Sequence, residues 1–249
     1  PDKILAANIR TDNPDTTHIQ WDHIPFDNPE NKLDVWIIAK LQLFIRDVRI
    51  ALDSYNTPAT VRLFPEMIND LSRWYIRRSR DRFAEGDKDA LDTLYYVLVE
   101  MSKVMAPITP FVTEAIYQNL VAIQNKEEKQ SIHLTDYPHP DIKFMEKSEE
   151  LMYQMDKVRQ IVALGQSVRV QNGLKVRQPL AEIEVISDID PNRNIDIEQW
   201  MKELIMDELN VKKVDEKSEL TDRDGWIRAK DDSNNIEISI DTNNRFFKT

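Results

Sequence analysis

The chain has 249 residues, a formal net charge of −11 and no cysteine. This length allows one large or two modest domains, and the lack of cysteine excludes disulfide scaffolds and thiolate zinc sites within the chain. With only four glycines and no apolar run long enough to span a membrane, the composition favours long helices over glycine-rich phosphate loops and predicts no membrane segment.

Residues 1–30 contain Pro14, Pro25 and Pro29 among polar residues, which predicts an extended lead-in. A helix should begin after Asn31, because Asn is a favoured N-cap. Apolar residues then recur at spacings of three and four, as on one face of a helix. They are Leu33, Ile37, Leu41, Phe44, Val48 and Leu52.

Four further helices are predicted by the same spacing. The second should follow Thr57 as N-cap, with Pro58 at its first position and Val61, Phe64, Ile68, Leu71 and Tyr75 facing inward. The third should follow Asp87, with Leu91, Leu94, Leu98, Met101 and Met105 inward. The fourth should run from Pro110 to about Ile123, and the fifth should bury Leu151, Met155, Val158, Val162 and Gly165. A small residue on that last face predicts a close helix approach.

The pattern changes near residue 180 from a helical period to an alternation of period two. Short strands are predicted over 182–187, 210–214, 226–230 and 236–240, with a helix from Asp196 to about Leu209 between the first two. The predicted fold is therefore mainly α: a helical bundle over residues 31–180, followed by a small α+β domain over 181–249.

The segment SRWYIRRSRDRF, residues 72–83, places five arginines within twelve residues. On an α-helix, Arg73, Arg77 and Arg80 would share one face, and Arg78 and Arg82 a neighbouring one. Like charges at these spacings are mildly destabilising, so the arrangement favours contact with an anion. The anion could be a nucleic-acid phosphate or an acidic domain interface.

A second interpretation of this segment is a solvated network of ion pairs on the surface. Its partners would be Glu66, Asp70, Glu85 and Asp89, which flank the arginines in the sequence. Trp74 could stack on a base, although its spacing also suits a core position.

A second basic cluster lies in residues 168–180, where the fifth helix ends. It contains Arg169, Lys175 and Arg177, and Gly173 can terminate the helix with a positive φ. Such a turn could contact phosphate or serve as a hinge between two domains.

The four histidines predict neither a metal site nor a catalytic site. His18 and His23 are five residues apart, and His133 and His139 lie in a proline-containing loop. Neither pair has helical i, i+4 spacing, and no cysteine is present to join them.

Four segments together resemble the C-terminal part of isoleucyl-tRNA synthetase: LSRWYIRRSRDRF, MAPITPFVTEAIYQNL, LKVRQPL and ELNVKKV. They occur in the order and spacing of that family, and the resemblance covers about residues 30–240. The second segment is less specific, because the valyl and leucyl enzymes share a similar stretch. Ala84 departs from the family, which usually has Trp after the RF pair, so a local contact there is in doubt.

The resemblance implies a class I synthetase anticodon-binding domain over the helical bundle, with residues 1–30 leading in from a catalytic core. Its partners would be tRNA(Ile) and the catalytic and editing domains of the same polypeptide, in a monomeric cytoplasmic enzyme that uses ATP and Mg²⁺. The HIGH-type and KMSKS-type ATP motifs are not found in this sequence, so we expect no cofactor here and no activity from the chain alone. The implied tRNA-binding residues are Arg73, Trp74, Arg77, Arg78, Arg80, Arg82, Arg169, Lys175 and Arg177.

Two alternatives remain open at this point. One is the corresponding region of a valyl- or leucyl-tRNA synthetase. The other is a helical scaffold that binds protein, which the net charge of −8 over residues 182–249 would suit equally well.

Overall fold

A computed structural model describes residues 31–124, 128–187, 196–220, 224–231 and 236–242. It confirms the predicted fold, a helical bundle followed by a small α+β region. The lead-in predicted over residues 1–30 lies outside the described residues. By packing, the chain divides into two units, the first ending at Pro140 and the second beginning at Asp141.

The first unit is helical, and α1 packs against both α2 and α4. Its elements in chain order are α1 (Lys32–Asp53), α2 (Thr57–Asn69), a π-helix (Asp70–Ile76), α3 (Arg80–Glu85), α4 (Lys88–Met105), α5 (Pro110–Tyr117), a second π-helix (Gln118–Ala122) and a 3-10 turn (Ile132–Leu134).

The predicted N-caps of α1 and α4 are confirmed. The Asn31 side chain accepts a hydrogen bond from the Leu33 N–H at 2.9 Å, and Asp87 accepts one from the Ala90 N–H at 3.2 Å. The cap of α2 is Asn56, one residue earlier than expected. Its longer side chain reaches the Ala59 N–H at 3.1 Å.

The inward face of α1 is confirmed, whereas parts of α2 and α4 are rotated from the prediction. On α2, Val61 and Ile68 are exposed while Thr60 and Met67 are buried. On α4, Leu91 is exposed and the small Ala90 is fully buried. The prediction failed there because hydrophobicity alone gives no weight to small and hydroxyl residues, which can also pack between closely spaced helices.

The described part of the second unit consists of two helices and a four-stranded sheet. Its elements are α6 (Ile142–Gln171), β1 (Ile183–Ser187), α7 (Gln199–Leu209), β2 (Val214–Glu216), β3 (Trp226–Asp231) and β4 (Ile236–Asp241). The strand order is β2-β1-β4-β3. β1 and β2 are parallel and joined through α7, whereas β4 is antiparallel to both β1 and β3.

Two predicted boundaries in this unit shift. α7 begins at Gln199 after Glu198, so Asp196 is not its cap. The strand expected over residues 210–214 begins at Val214, and Val211 forms an isolated parallel bridge with Leu180.

The close helix approach predicted at Gly165 is confirmed. A Cβ atom at this position would lie 2.5 Å from Cδ1 of Leu209 on α7. α6 also contacts β3 and β4, so it covers the sheet together with α7. The division by packing lies between residues 140 and 141, before α6, whereas the change from helices to strands lies near residue 180.

Among the described helices, none is both long enough and apolar enough to cross a membrane.

Candidate functional site

The first basic segment is not one continuous α-helix. Its early residues lie in the π-helix Asp70–Ile76, and the chain leaves helical geometry at Ser79, where φ is −90° and ψ is 7°. A π-helix bonds residues five apart, so each turn is wider than an α-turn. The arginines consequently do not keep the relative directions that a single α-helix would give them.

Arg73, Arg77 and Arg80 of this segment are exposed, and together they are called the basic face. Arg78 beside them is half-buried. The Nε of Arg77 donates to the carbonyl oxygen of Arg73 at 2.9 Å, which holds that side chain along the helix. Among the described residues, none forms an ion pair with Arg73 or Arg80. Arg73 and Arg80 therefore present cationic groups to the surroundings.

The carboxylates considered as arginine partners have other positions. Glu66 and Asp70 both pair with Lys40 of α1, at 2.9 and 3.0 Å. Burial acts to lower the pKa of Lys40, but the two carboxylates outweigh it and raise that pKa. Glu85 and Asp89 are exposed and pair with no residue in the described part of the chain. Within the described residues, Glu85 and Asp89 therefore take no part in a network with the arginines.

Arg82 is half-buried and pairs with carboxylates of the protein, so it is not counted in the basic face. Its Nη1 and Nη2 atoms donate to the two carboxylate oxygens of Asp34, each at 2.8 Å, and its Nε donates to Asp87 at 2.7 Å. The hydrogen bonds to Asp34, and to a smaller extent the one to Asp87, raise the pKa of Arg82. The Arg82 guanidinium in turn lowers the pKa of Asp87. Asp34 is fully buried. All three nitrogen atoms of the Arg82 guanidinium thus donate to carboxylates of the same protein.

Trp74 and Tyr75 of the segment pack against the helical core. Tyr75 is fully buried, and its hydroxyl donates to Asp34 at 2.9 Å. Burial raises the pKa of Tyr75, and the Asp34 charge adds to the effect. Trp74 is half-buried and meets the buried Trp36 edge to face, with ring centroids 6.5 Å apart. Only part of the Trp74 ring is open to a ligand.

Arg169 is fully buried at the end of α6. Its Nη1 donates to the carbonyl oxygens of Lys175 and Gln178 at 2.9 and 3.0 Å, and its Nη2 donates to those of Leu209 and Asn210. Burial lowers the pKa of Arg169. A sequence signal for this burial existed, because Arg169 lies four residues after Gly165 and continues the inward face of α6.

The loop after α6, residues 172–179, presents the other two predicted cations. Gly173 has a φ of 65° and ends the helix as expected. Lys175 and Arg177 are exposed. Their backbone is held by Arg169 and by Asn210, whose side-chain amide donates to the Val176 carbonyl at 3.2 Å. Residues 172–179, called the basic loop, therefore carry two exposed cationic side chains on a backbone that hydrogen bonds hold in place.

Within the described segments, no group of three or more histidine or acidic residues could hold a metal ion. His133 and His139 are exposed, and His18 and His23 lie outside the described residues.

Residues 34–185 match the family model of the anticodon-binding domain of tRNA ligases. Since the match covers more than half of the chain, the chain belongs to this family.

Its relatives are isoleucine–tRNA ligases, which confirms the resemblance. The protein of Protochlamydia amoebophila is 40% identical over 191 residues, covering 75% of this chain and 18% of the relative. Isoleucine–tRNA ligase 2 of Bacillus cereus strain ZK is 39% identical over 215 residues, covering 84% and 19%. The protein of Streptomyces coelicolor is 42% identical over 160 residues, covering 64% and 15%. The chain thus spans less than a fifth of the length of each of these relatives. The comparisons favour neither the valyl- or leucyl-tRNA synthetase alternative nor the protein-binding scaffold.

Proposed function

We propose that the chain is the tRNA-binding part of an isoleucine–tRNA ligase. It would hold tRNA(Ile) while the acceptor end is esterified at a catalytic domain elsewhere in the same polypeptide. The observation that carries this proposal is the exposed basic face of Arg73, Arg77 and Arg80 within a domain of the anticodon-binding family.

The basic face contributes attraction that does not depend on sequence. Guanidinium groups bind phosphate oxygens through paired N–H donors, and such contacts fix orientation and register along the nucleic acid. Arg82 supports the face from behind, since its bonds to Asp34 and Asp87 tie the segment to α1 and α4. A rigid support matters because binding energy used for positioning is lost when the contact is loose.

The basic loop carrying Lys175 and Arg177 is a second phosphate-binding surface in this proposal. Both side chains are exposed on a backbone that Arg169 and Asn210 hold in place. We assign Arg169 and Arg82 a supporting role, because Arg169 is fully buried and all three nitrogen atoms of Arg82 donate to Asp34 and Asp87.

Catalysis belongs to the longer polypeptide in this proposal. ATP and Mg²⁺ would bind at its catalytic domain, and the editing domain would be a further partner within the same chain. The proposed enzyme is a cytoplasmic monomer, and the 249-residue chain by itself would show no isoleucine-dependent pyrophosphate exchange.

The test uses Arg77→Ala and Arg80→Ala, singly, in the full-length enzyme, with tRNA(Ile) affinity measured over a series of salt concentrations. Each lost phosphate contact should lower the slope of log affinity against log salt by about 0.7–0.9 and weaken other tRNAs to the same degree. Arg46→Ala is the control, because Arg46 on α1 already pairs with Asp47 at 2.7 Å.

Unchanged affinity and slope in both variants, with an unchanged melting temperature, would contradict the proposed role of the basic face. Unchanged affinity with a lower melting temperature would show instead that the arginines face another domain. A change in preference among tRNAs would indicate base contacts rather than phosphate contacts.

A further inference from the structure

The turn between α1 and α2 places Tyr55 in a left-handed conformation, with φ at 54°. The Asn56 N–H donates to the Ala51 carbonyl at 2.8 Å, and the Tyr55 N–H donates to the Leu52 carbonyl at 2.9 Å. This pair of bonds is the Schellman helix ending, in which the left-handed position is usually Gly.

Three other helices of the chain end with the same kind of turn, and each uses a residue that tolerates positive φ. The residues are Gly86 after α3, Gly173 after α6 and Asn210 after α7. Among the helix ends of the described residues, Tyr55 is therefore the exception. An aromatic residue with a Cβ is strained in the left-handed region, and an observed outlier of this kind is a reason to look for a function.

The side chain of Tyr55 projects into solvent. It is 94% exposed, and in the described part of the chain it makes no hydrogen bond or ring contact. The backbone beneath it is well held, because Ser54 Oγ donates to the Ile50 carbonyl at 2.7 Å and the Asn56 side chain caps α2. The turn therefore presents an exposed aromatic ring on an ordered backbone, so binding a ligand there does not require the backbone to become ordered.

Tyr55 lies at the opposite end of α1 from Asp34, which receives Arg82. The 22 residues of α1 correspond to about 30 Å at the rise of an α-helix. Residues 50–62 contain one acidic and one basic residue, Asp53 and Arg62. The turn thus lacks the excess positive charge that phosphate binding uses, whereas stacking on a base requires none.

We propose that Tyr55 stacks on an unpaired base of the tRNA anticodon loop. The proposal rests on the function proposed above, since it requires that this domain binds tRNA. The basic face would hold the backbone at one end of α1 while Tyr55 contacts a base at the other. Proteins commonly bind the splayed bases of single-stranded RNA loops by stacking them on aromatic side chains.

The test compares Tyr55→Gly and Tyr55→Phe with the parent protein. Glycine relieves the strain at this turn, so the melting temperature of the 249-residue chain should stay unchanged or rise by about 2–4 °C. Affinity of the full-length enzyme for tRNA(Ile) should fall about tenfold with Tyr55→Gly and stay within about twofold with Tyr55→Phe. A merely structural role would make stability and affinity fall together.

The salt dependence separates this proposal from the proposed function. Tyr55→Gly should leave the salt slope unchanged, because no phosphate contact is removed. Unchanged affinity of Tyr55→Gly, while Arg77→Ala and Arg80→Ala weaken binding, would overturn the stacking role and leave the proposed function standing. A lower melting temperature of the full-length enzyme with unchanged tRNA affinity would overturn it too, and would show that another domain covers Tyr55. Absence of tRNA binding by the parent enzyme would overturn both.

Discussion

Arg80 and Arg82 lie two residues apart in one basic segment, yet their side chains have opposite environments. Arg80 is exposed, whereas Arg82 donates through three nitrogen atoms to Asp34 and Asp87. The difference comes from Asp34, which is 48 positions earlier in the chain. A buried carboxylate needs a charged or hydrogen-bonding partner, and Arg82 satisfies it in bidentate geometry.

At this scale we predict that Arg82→Ala destabilises the chain by about 3 kcal/mol, because it leaves the Asp34 carboxylate buried beside Tyr75 without its cation. Arg80→Ala is the matched control and should change the free energy of unfolding by less than about 0.5 kcal/mol. Urea denaturation followed by tryptophan fluorescence measures both, with Trp36 and Trp74 close to the site. Equal stability of the two variants would show that the Asp34 pair contributes nothing.

At the scale of the elements, the contact between α6 and α7 depends on a single small residue. Its contact with α7 passes over Gly165, where an added Cβ would lie 2.5 and 2.8 Å from the two Cδ atoms of Leu209. Leu209 is fully buried, so it has little room to move. Helix propensity favours Ala over Gly by about 1 kcal/mol, whereas overpacking a core costs about 1–3 kcal/mol.

We therefore expect Gly165→Ala to lower the free energy of unfolding by about 1 kcal/mol. In a Leu209→Ala background the same substitution should become stabilising by about 1 kcal/mol, since the clash is gone and the propensity gain remains. Chemical denaturation of the four proteins of this double-mutant cycle measures the coupling. The same effect of Gly165→Ala in both backgrounds would refute the role assigned to Leu209.

On the scale of the whole molecule, the position of α6 decides how the chain divides. The packing division lies between Pro140 and Asp141, so α6 joins α7 and the sheet. The buried strand residues Ile183, Val185 and Ile238 belong to a sheet that α6 helps to cover. Without α6, much of this apolar surface would face water.

We predict that residues 141–249 fold as an isolated polypeptide and that residues 181–249 do not. The longer piece should show helical circular dichroism and one cooperative urea transition, because it retains both helices that pack on the sheet. The shorter piece should unfold without cooperativity. Comparable cooperative transitions in the two pieces would place the boundary near residue 180 instead.

Local sequence patterns were sufficient for much of the secondary structure. Asn31 and Asp87 were recognised as caps because the cap bond joins residues two or three positions apart, and the inward faces of α1 and α6 followed from apolar spacing. Gly173 was recognised because positive φ is nearly free of strain only for glycine. The basic segments were visible as charge clusters without any structure.

The sequence by itself thus determined the order and approximate positions of the helices and strands, where the cations concentrate and which family the chain resembles. Only the tertiary structure decided which cations face outward. Arg82 and Arg169 are internal because their acceptors, Asp34 and the end of α7, are 48 and about 40 positions away in the chain. The burial of a charge depends on such distant partners, whereas helical periodicity depends only on neighbours within about four residues.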